Sequence, residues 1–324
     1  MSNSAPAVAI QPLLVSRPHA PLPLPGVAYA GQVGAGELVL VAPAISDAAL
    51  QALAQQLSQD GQPVRVLRAG RWHEHDLLRL AITALPSVAW CRQLAERIGI
   101  DIGVLPRSLP AQLVLFDMDS TLITMEVIDE LAKEAGSGEE VAAITEAAMR
   151  GELDFNGSLL RRVATLKGLS LAAVETVKRR LQCNPGVPEF AAFARAQGVK
   201  LGLVSGGFLP FARHIGQQLQ FDYVRANTLL DDGQALTGAV QGEIVNAQVK
   251  ARTLTELATH YQLPSEAIWA VGDGANDLLM LQAAGLGVAF RAKPKLRQAA
   301  HLALDVSDMR ALATLQQSLL PEVG

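Results

Sequence analysis

Two aspartates, Asp117 and Asp119, follow the apolar run 113–116 and are separated by a single residue. A continuous apolar run bounded by polar residues predicts a strand that is buried on both faces. The carboxylates would then lie at the carboxyl end of this strand, where open α/β sheets form their ligand crevice. Carboxylates held this close repel one another unless a proton or a divalent cation lies between them. The alternative is a polar turn in which Ser120 or Thr121 caps the next helix.

Two further predicted strands also end in polar clusters. The first is followed by Ser205-Gly206-Gly207, and the second by Gly272-Asp273-Gly274-Ala275-Asn276-Asp277. In a doubly wound sheet such strand ends share one edge. Glycines allow backbone amides to approach an anion closely, and clustered carboxylates without sulfur or imidazole favour a hard cation such as Mg²⁺. The clusters therefore predict a phosphate group that is bound through Mg²⁺.

The two acids after the first strand can divide the chemistry between them. An ionised, metal-bound Asp117 can attack phosphorus as a nucleophile. Asp119 can protonate the leaving oxygen and later deprotonate water, as general acid and then general base. Ser205 and Lys250 would hold phosphoryl oxygens while charge moves. Taken singly, each of these residues also has a structural explanation: Ser205 as a turn residue, Lys250 as an exposed helix residue, and Asp277 as an acid of a first helical turn.

The elements around these clusters predict the fold class. From about residue 186 onward, predicted helices and strands alternate, which is typical of an α/β fold with a mostly parallel, doubly wound sheet. Residues 124–184 carry helical spacing interrupted by glycines, and this insertion predicts a helical cap. Asp231-Asp232-Gly233 lies between apolar stretches and predicts a small hairpin flap at about 228–246.

The first third of the chain has its own organisation. Residues 27–105 predict a small α/β domain that is large enough to fold alone. Its expected elements are strands at 38–41, 64–67 and 100–104 and helices at 46–58, 77–85 and 87–98. Residues 1–26 predict an extended arm and no export signal, since no basic residue precedes Arg17 and several prolines follow it. A proline-marked linker then leads into the larger domain, residues 110–324.

Composition excludes several classes of protein. The 324 residues are 50% hydrophobic and 18% charged, with a formal net charge of −4. No long basic block is present, so nucleic acid is not an expected partner. The sequence has no unbroken apolar span of about 18 residues, so no membrane helix is predicted. Cys91 and Cys183 form no CxxC pair, which favours reduced thiols in a cytoplasmic protein.

The motifs, taken in order, resemble those of the haloacid dehalogenase (HAD) superfamily over about residues 113–319. They are Asp117-Met-Asp119-Ser-Thr, Ser205-Gly-Gly, Lys250 and Gly272-Asp-Gly-Ala-Asn-Asp277. The second acid resembles the phosphatase branch, whose core is a HAD-like Rossmannoid sheet. Glu126, the stretch from Met149 to Phe155 and the stretch from Ser158 to Gly168 are similar to the bacterial phosphoserine phosphatase family.

This resemblance implies a role for each matching residue. Asp117 would be the phosphorylated nucleophile and Asp119 the acid/base. Asp117, the backbone carbonyl of Asp119 and Asp273 would bind Mg²⁺, with Asp277 and Asn276 supporting the metal site. The implied substrate-binding residues are Glu126, Met149, Phe155, Arg162, Ser205, Gly206, Lys250 and Asn276. Glu126 would hold the ammonium and Arg162 the carboxylate of phosphoserine, while Met149 and Phe155 would close the cap.

The implied reaction is the Mg²⁺-dependent hydrolysis of O-phospho-L-serine to L-serine and phosphate, the last step of serine biosynthesis. Hydrolysis of another small phosphomonoester, or phosphoryl transfer to homoserine, is an open alternative, and so is an amino-acid-sensing or scaffold protein with a vestigial site. Glu126 and Arg162 are also explained by a salt bridge of the cap, and Met149 and Phe155 by ordinary packing. The amino-terminal domain resembles ACT-like domains, which implies amino-acid binding or a homodimer formed through this domain.

Overall fold

The computed structural model describes residues 36–105 and 109–321 of the chain. The chain divides into two compact units: Met1–Pro110 together with His301–Gly324, and Ala111–Ala300. The predicted extended arm, residues 1–26, lies outside the described residues. Within the two described ranges, every helix is too short or too polar to cross a membrane.

The amino-terminal part of the first unit alternates strands and helices. Its elements are β1 (Gly36–Ala42), α1 (Asp47–Gln59), β2 (Val64–Trp72), β3 (His75–Ile82), α2 (Val88–Ile98) and β4 (Asp101–Leu105). Both helices begin at a serine N-cap, Ser46 or Ser87, whose hydroxyl accepts a backbone amide. The strand order is β2-β3-β1-β4 with antiparallel neighbours, which is the split β-α-β arrangement of ferredoxin-like folds. Its assignment as ACT-like stays a prediction.

The helix predicted at residues 77–85 is wrong, because this segment forms β3. His73 and Glu74 both have positive φ values, 47° and 65°, as the two central residues of a tight hairpin turn require. The strand that follows is buried along its whole length between β1 and β2. A strand that is apolar on both faces has no period-2 pattern, so the leucine spacing alone does not distinguish it from a helix.

The second unit contains the elements that carry the predicted site. They are β5 (Leu113–Phe116), α3 (Val127–Ala135), α4 (Gly138–Met149), α5 (Phe155–Ala164), α6 (Leu171–Arg179), α7 (Val187–Ala196), β6 (Lys200–Phe208), α8 (Leu209–Leu219), β7 (Tyr223–Asp231), β8 (Leu236–Gln241), α9 (Ala247–His260), β9 (Ile268–Gly272), α10 (Leu278–Ala283), β10 (Leu286–Phe290) and α11 (Pro294–Arg297). The strand order is β10-β9-β5-β6-β7-β8, parallel as far as β7, with β8 antiparallel to β7. The predicted α/β class with a mostly parallel sheet is confirmed.

Helices α3 to α6 lie within the stretch predicted for a cap, and the two linkers that frame them run side by side. The Thr124 amide donates to the Gln182 carbonyl at 3.0 Å, and the Asn184 amide donates to the Leu122 carbonyl at 2.8 Å. The cap is therefore joined to the sheet through a short two-stranded ribbon, which begins three residues after Asp119. The β7–β8 hairpin lies in the region predicted for the flap.

The carboxyl-terminal segment groups with the first unit, whereas the sequence analysis placed it in the domain 110–324. This segment forms β11 (Leu302–Leu304) and α12 (Arg310–Leu319), and β11 pairs antiparallel with β4. The Asp101 carboxylate accepts the backbone amides of residues 305–307 at 2.8–3.0 Å. The alternation of helices and strands continues unbroken through this region, so the local pattern does not show to which unit it belongs.

Candidate active site

The register of the sheet brings the three predicted polar clusters to one edge. Phe116, the last residue of β5, is paired with Leu203 on one side and Val271 on the other, in parallel strands. The residues that follow these positions, Asp117, Ser205 and Asp273, therefore emerge at the same edge of the sheet. The Asp117 amide donates to the Val271 carbonyl at 3.0 Å, which continues the strand pairing up to the first acid.

A buried lysine lies among three carboxylates at this edge. The Lys250 Nζ atom is 2.9 Å from Asp117 Oδ1 and 2.6 Å from Asp277 Oδ1, and the Lys250 side chain has no exposed surface. One carboxylate oxygen from each of Asp117, Asp273 and Asp277 lies within 4.8 Å of the others. One ammonium group does not balance three buried carboxylates. An all-oxygen, anionic donor set of this kind fits a hard divalent cation.

The pKa values at the cluster reflect this excess of negative charge. Burial, with the charges of Asp117 and Asp277, raises the pKa of Asp273 to about 8. Burial and the Asp117 charge raise the pKa of Asp277 to about 6, although Lys250 opposes the shift. Burial alone would lower the pKa of Lys250, but the Asp117 and Asp277 carboxylates outweigh it and raise that pKa above its usual value.

Two glycines provide the space that these carboxyl groups occupy. A Cβ atom on Gly272 would lie 2.4 Å from Asp277 Cγ, and one on Gly207 would lie 2.4 Å from Asp119 Oδ2. Any other residue at either position would displace a carboxyl group of the cluster. Gly272, which precedes Asp273, and Gly207, which lies two residues after Ser205, are thus explained by side-chain packing as well as by the predicted anion binding.

Asp119 lies beside the cluster in a setting that favours its protonated form. Its Oδ1 atom accepts the Val127 amide, at the start of cap helix α3, at 3.1 Å. Burial, followed by the charges of Glu126 and Asp117, raises the pKa of Asp119 well above its usual value. A carboxyl group whose protonated form is favoured in this way is suited to act as a general acid.

Glu126 and Arg162 reach the same space from the cap. Ser120 adopts a left-handed backbone conformation (φ 56°), and its hydroxyl donates to Glu126 Oε1 at 2.7 Å. Burial lowers the pKa of the half-buried Arg162, while the nearby charges of Asp129, Glu126 and Asp119 oppose that shift. The charges of Glu126 and Arg162 therefore act on each other and on the acid/base candidate, Asp119.

The remaining predicted residues differ in how they are placed. The Phe155 ring lies against the segment 205–207, here called the glycine loop, since a Cβ on Gly206 would be 2.8 Å from Phe155 Cζ. Asn276 packs with its Oδ1 atom over Gly274, in the single turn that follows β9. Met149 is 76% exposed at the end of α4, so its part in closing the cap stays a prediction.

Comparison with known proteins assigns the family. Residues 111–285 match the family of haloacid dehalogenase-like hydrolases. The chain belongs to this family. The match covers the sheet edge and the cap that hold every residue of the cluster described above, so this unit is a hydrolase of the HAD type.

Named relatives of this hydrolase include phosphoserine phosphatases. That of Archaeoglobus fulgidus is 42% identical over 227 residues, which cover 69% of this chain and 66% of the relative. That of Haemophilus influenzae is 46% identical over 222 residues, covering 67% and 70%. The crystal structure of a probable phosphoserine phosphatase from Vibrio cholerae, in its unliganded form, matches with a TM-score of 0.72 at 34% identity, over 89% of this chain and 91% of that one.

Three polar residues of the hydrolase support the site through hydrogen bonds, a role that the sequence alone did not predict for them. Ser120 appeared only as a candidate helix cap, but it holds Glu126. Asn184 marked only the end of the cap, but its Nδ2 atom donates to the carbonyls of Thr121 and Ile123 at 2.8 and 3.1 Å. Asn227 carried no motif signal, and its contacts are described below. Ser120 was the one that the sequence could have revealed, since it belongs to the Asp-x-Asp-Ser-Thr motif.

Proposed function

We propose that this hydrolase converts O-phospho-L-serine and water to L-serine and phosphate, with Asp117 as the nucleophile and Mg²⁺ as the cofactor. The observation that carries the proposal is that Glu126, held by the Ser120 hydroxyl, and Arg162 both interact electrostatically with Asp119. Phosphoserine has one ammonium and one carboxylate beyond its phosphate, and a guanidinium suits a carboxylate. The names of the curated relatives support the same substrate.

In the first step, a carboxylate oxygen of Asp117 attacks phosphorus. The bond between phosphorus and the seryl oxygen breaks, and Asp119 transfers its proton to that oxygen, so that serine leaves as the neutral alcohol. Burial and the neighbouring charges of Glu126 and Asp117 raise the pKa of Asp119, which favours the protonated carboxyl group that this step requires. The product of this step on the enzyme is an aspartyl phosphate at Asp117.

In the second step, water attacks the phosphorus of the aspartyl phosphate. Asp119, now ionised, takes a proton from this water, and the bond between phosphorus and the Asp117 oxygen breaks. Phosphate leaves and the Asp117 carboxylate is restored. Ser205, Gly206 and Lys250 hold the phosphoryl oxygens in both steps, and Lys250 is already 2.9 Å from the attacking carboxylate.

Asp117, Asp273 and the backbone carbonyl of Asp119 would hold the Mg²⁺ ion, and Asp277 and Asn276 would support them. When bound, the ion neutralises charge on the phosphoryl oxygens and on the acids. The cluster of three buried carboxylates fits this assignment, because its negative charge exceeds what Lys250 balances.

A phosphate-release assay tests the proposal. Purified protein with Mg²⁺ should release phosphate from phosphoserine, and Asp117→Asn should reduce turnover by at least about a thousandfold, as the loss of a covalent nucleophile does. Asp47→Asn, at an exposed position of the first unit, is the matched control. Turnover near the wild-type rate in the Asp117→Asn protein would contradict the nucleophile. Hydrolysis of an aryl phosphate without hydrolysis of phosphoserine would contradict the substrate.

Three further expectations stay predictions of the sequence. They are the place of the reaction as the last step of serine biosynthesis, a cytoplasmic localisation, and a homodimer formed through the amino-terminal domain. In the structure both cysteines are free thiols, one buried and one half-buried, which is compatible with a reducing compartment.

A further inference from the structure

We infer that Asn227 is a positioning residue for phosphate, which sets the peptide between Gly206 and Gly207 and, through it, the Ser205 hydroxyl. The inference rests on the proposed function, in which Ser205 and Gly206 hold the phosphoryl group. Asn227 lies on β7 with 2% of its surface exposed. Its side chain is hydrogen-bonded to two backbone groups, and we expect it to act on phosphate through these partners.

Both ends of the Asn227 amide are used. Its Nδ2 atom donates to the Gly206 carbonyl at 2.8 Å, and its Oδ1 atom accepts the Val245 amide at 2.9 Å. Val245 precedes Asn246, the N-cap of helix α9, which carries Lys250. A single buried side chain therefore fixes the spacing between the glycine loop and the helix that supplies the lysine. Its orientation is determined, since the donor must face the carbonyl and the acceptor must face the amide.

The hydrogen bond to the Gly206 carbonyl also fixes the orientation of the Gly207 N–H, because both groups belong to one planar peptide. In a trans peptide the carbonyl and the following N–H point in opposite directions. With the Gly206 carbonyl bound to Asn227, the Gly207 N–H points the other way and donates to Ser205 Oγ at 2.9 Å. A serine hydroxyl has one proton and two acceptor sites, so a lone pair engaged by Gly207 directs the proton elsewhere. Hydrogen bonds in series also polarise one another. The hydroxyl is thus preset to donate to a phosphoryl oxygen.

The surroundings of the loop leave little room for another arrangement. A Cβ on Gly206 would lie 2.8 Å from the Phe155 ring and 3.4 Å from the Val245 carbonyl. Asp119 Oδ2 packs directly on Gly207, at 2.4 Å from the position of a Cβ. A rotated 206–207 peptide would therefore disturb the acid/base as well as the serine hydroxyl. Loss of the Asn227 donor should weaken phosphate binding and lower kcat together.

Asn227→Asp is the isosteric test, because it keeps the acceptor for Val245 and replaces the donor with a carboxylate oxygen that faces the Gly206 carbonyl. The measurements are the inhibition constant of inorganic phosphate and the KM and kcat for phosphoserine, all with Mg²⁺. We expect the inhibition constant to rise by about tenfold or more, as the loss of a hydrogen bond to a charged ligand implies. As the pH falls, the introduced carboxyl group gains a proton that it can donate to the Gly206 carbonyl. The ratio of the variant's inhibition constant to that of the wild-type protein should therefore shrink.

A second variant and a control separate positioning from stability. Asn227→Ala removes both contacts without adding charge, and Ile215→Ala truncates a fully buried side chain of α8, ten residues after Ser205 in sequence. Ile215→Ala should lower the unfolding midpoint and leave phosphate inhibition unchanged, whereas Asn227→Ala should weaken inhibition at least about fivefold. In a Ser205→Ala background, Asn227→Asp should raise the inhibition constant of phosphate by a much smaller factor, because the hydroxyl group that the 206–207 peptide orients is then absent.

The outcomes are distinct. Inhibition constants within twofold of wild type in both folded Asn227 variants would overturn the inference, and so would the failure of both variants to fold, which would make Asn227 a structural residue only. If wild-type protein binds phosphate in an Asn227-dependent way but does not hydrolyse phosphoserine, the proposed substrate fails and the positioning role of Asn227 stands.

Discussion

The Lys250 ammonium donates to the Asp277 carboxylate at 2.6 Å, and neither side chain has any exposed surface. An ion pair this deeply buried contributes little net stability when it is intact, because both charges lose their hydration. Removing one partner is different, because the other charge is then left buried and unpaired. The pair therefore makes the fold of the site depend on its charge balance.

Replacing Lys250 with methionine should destabilise the second unit strongly. The Asp117 and Asp277 carboxylates would lose the buried ammonium that they contact, and we expect a loss of about 3–5 kcal/mol in the free energy of unfolding. Urea unfolding in the absence of metal measures it. Lys295→Met, at an exposed position of α11, should change the same quantity by less than about 0.5 kcal/mol. Equal losses of unfolding free energy in the two variants would mean that the stability of the fold does not depend on the charge of Lys250.

Arg162 should discriminate between substrates. In Arg162→Ala, kcat/KM for phosphoserine should fall about a hundredfold, since the substrate carboxylate loses its guanidinium. The same variant should lose less than about threefold on p-nitrophenyl phosphate, which has no carboxylate. Arg161, its exposed neighbour on α5, supplies the matched control variant, Arg161→Ala, with no selective effect. Equal losses of Arg162→Ala on both substrates would argue against carboxylate recognition.

Metal binding should be visible in stability as well as in activity. A ligand that binds only the folded protein raises the unfolding midpoint, so Mg²⁺ should raise the Tm of the wild-type protein and EDTA should reverse the rise. Asp273→Asn removes one of the three clustered carboxylates and should abolish most of this response. Phosphate release should stop with EDTA and return with excess Mg²⁺. A Tm that does not respond to Mg²⁺ in the wild-type protein would contradict a metal site at the cluster.

Cys91 should be inert towards thiol reagents in the native protein. Burial raises its pKa to about 11, so only about one molecule in a thousand carries the thiolate at pH 8. Labelling in a Cys183→Ser background should therefore be slow until denaturant is added. Burial also raises the pKa of Cys183. Rapid, complete labelling of Cys91 without unfolding would show that the first unit opens readily.

The sequence predicted the acids of the site better than the groups that hold them. Asp117 and Asp273 follow apolar strands, and a parallel sheet brings such strand ends to one edge whatever the details of packing. The pairing of Lys250 with Asp277 depends on how two helices are rotated, which no local pattern records. Asn227 is a single buried polar residue in a strand of mixed burial, so neither periodicity nor a motif marks it.

Two differences between the sequence analysis and the structure have a similar origin. Residues 77–85 read as a helix because β3 is buried on both faces, and only its pairing with β1 and β2 distinguishes it. The sequence analysis placed the carboxyl-terminal segment in the domain 110–324. Its grouping with the first unit rests on β11 and on the contacts of Asp101, which lies more than 200 residues away in sequence, so no local pattern shows it. Short-range patterns predict elements, and long-range pairing decides where they belong.

The hydrogen bond from the Val127 amide to Asp119 links the cap to the proposed acid/base. Val127 is the first residue of α3, so any movement of that helix away from the sheet edge would remove an anchor of the proton donor. On the proposed mechanism, serine release through such a movement would coincide with the loss of this anchor, and the base would be in place for water again once the helix has returned. Product exit and the second chemical step would thus be kept apart by one backbone contact.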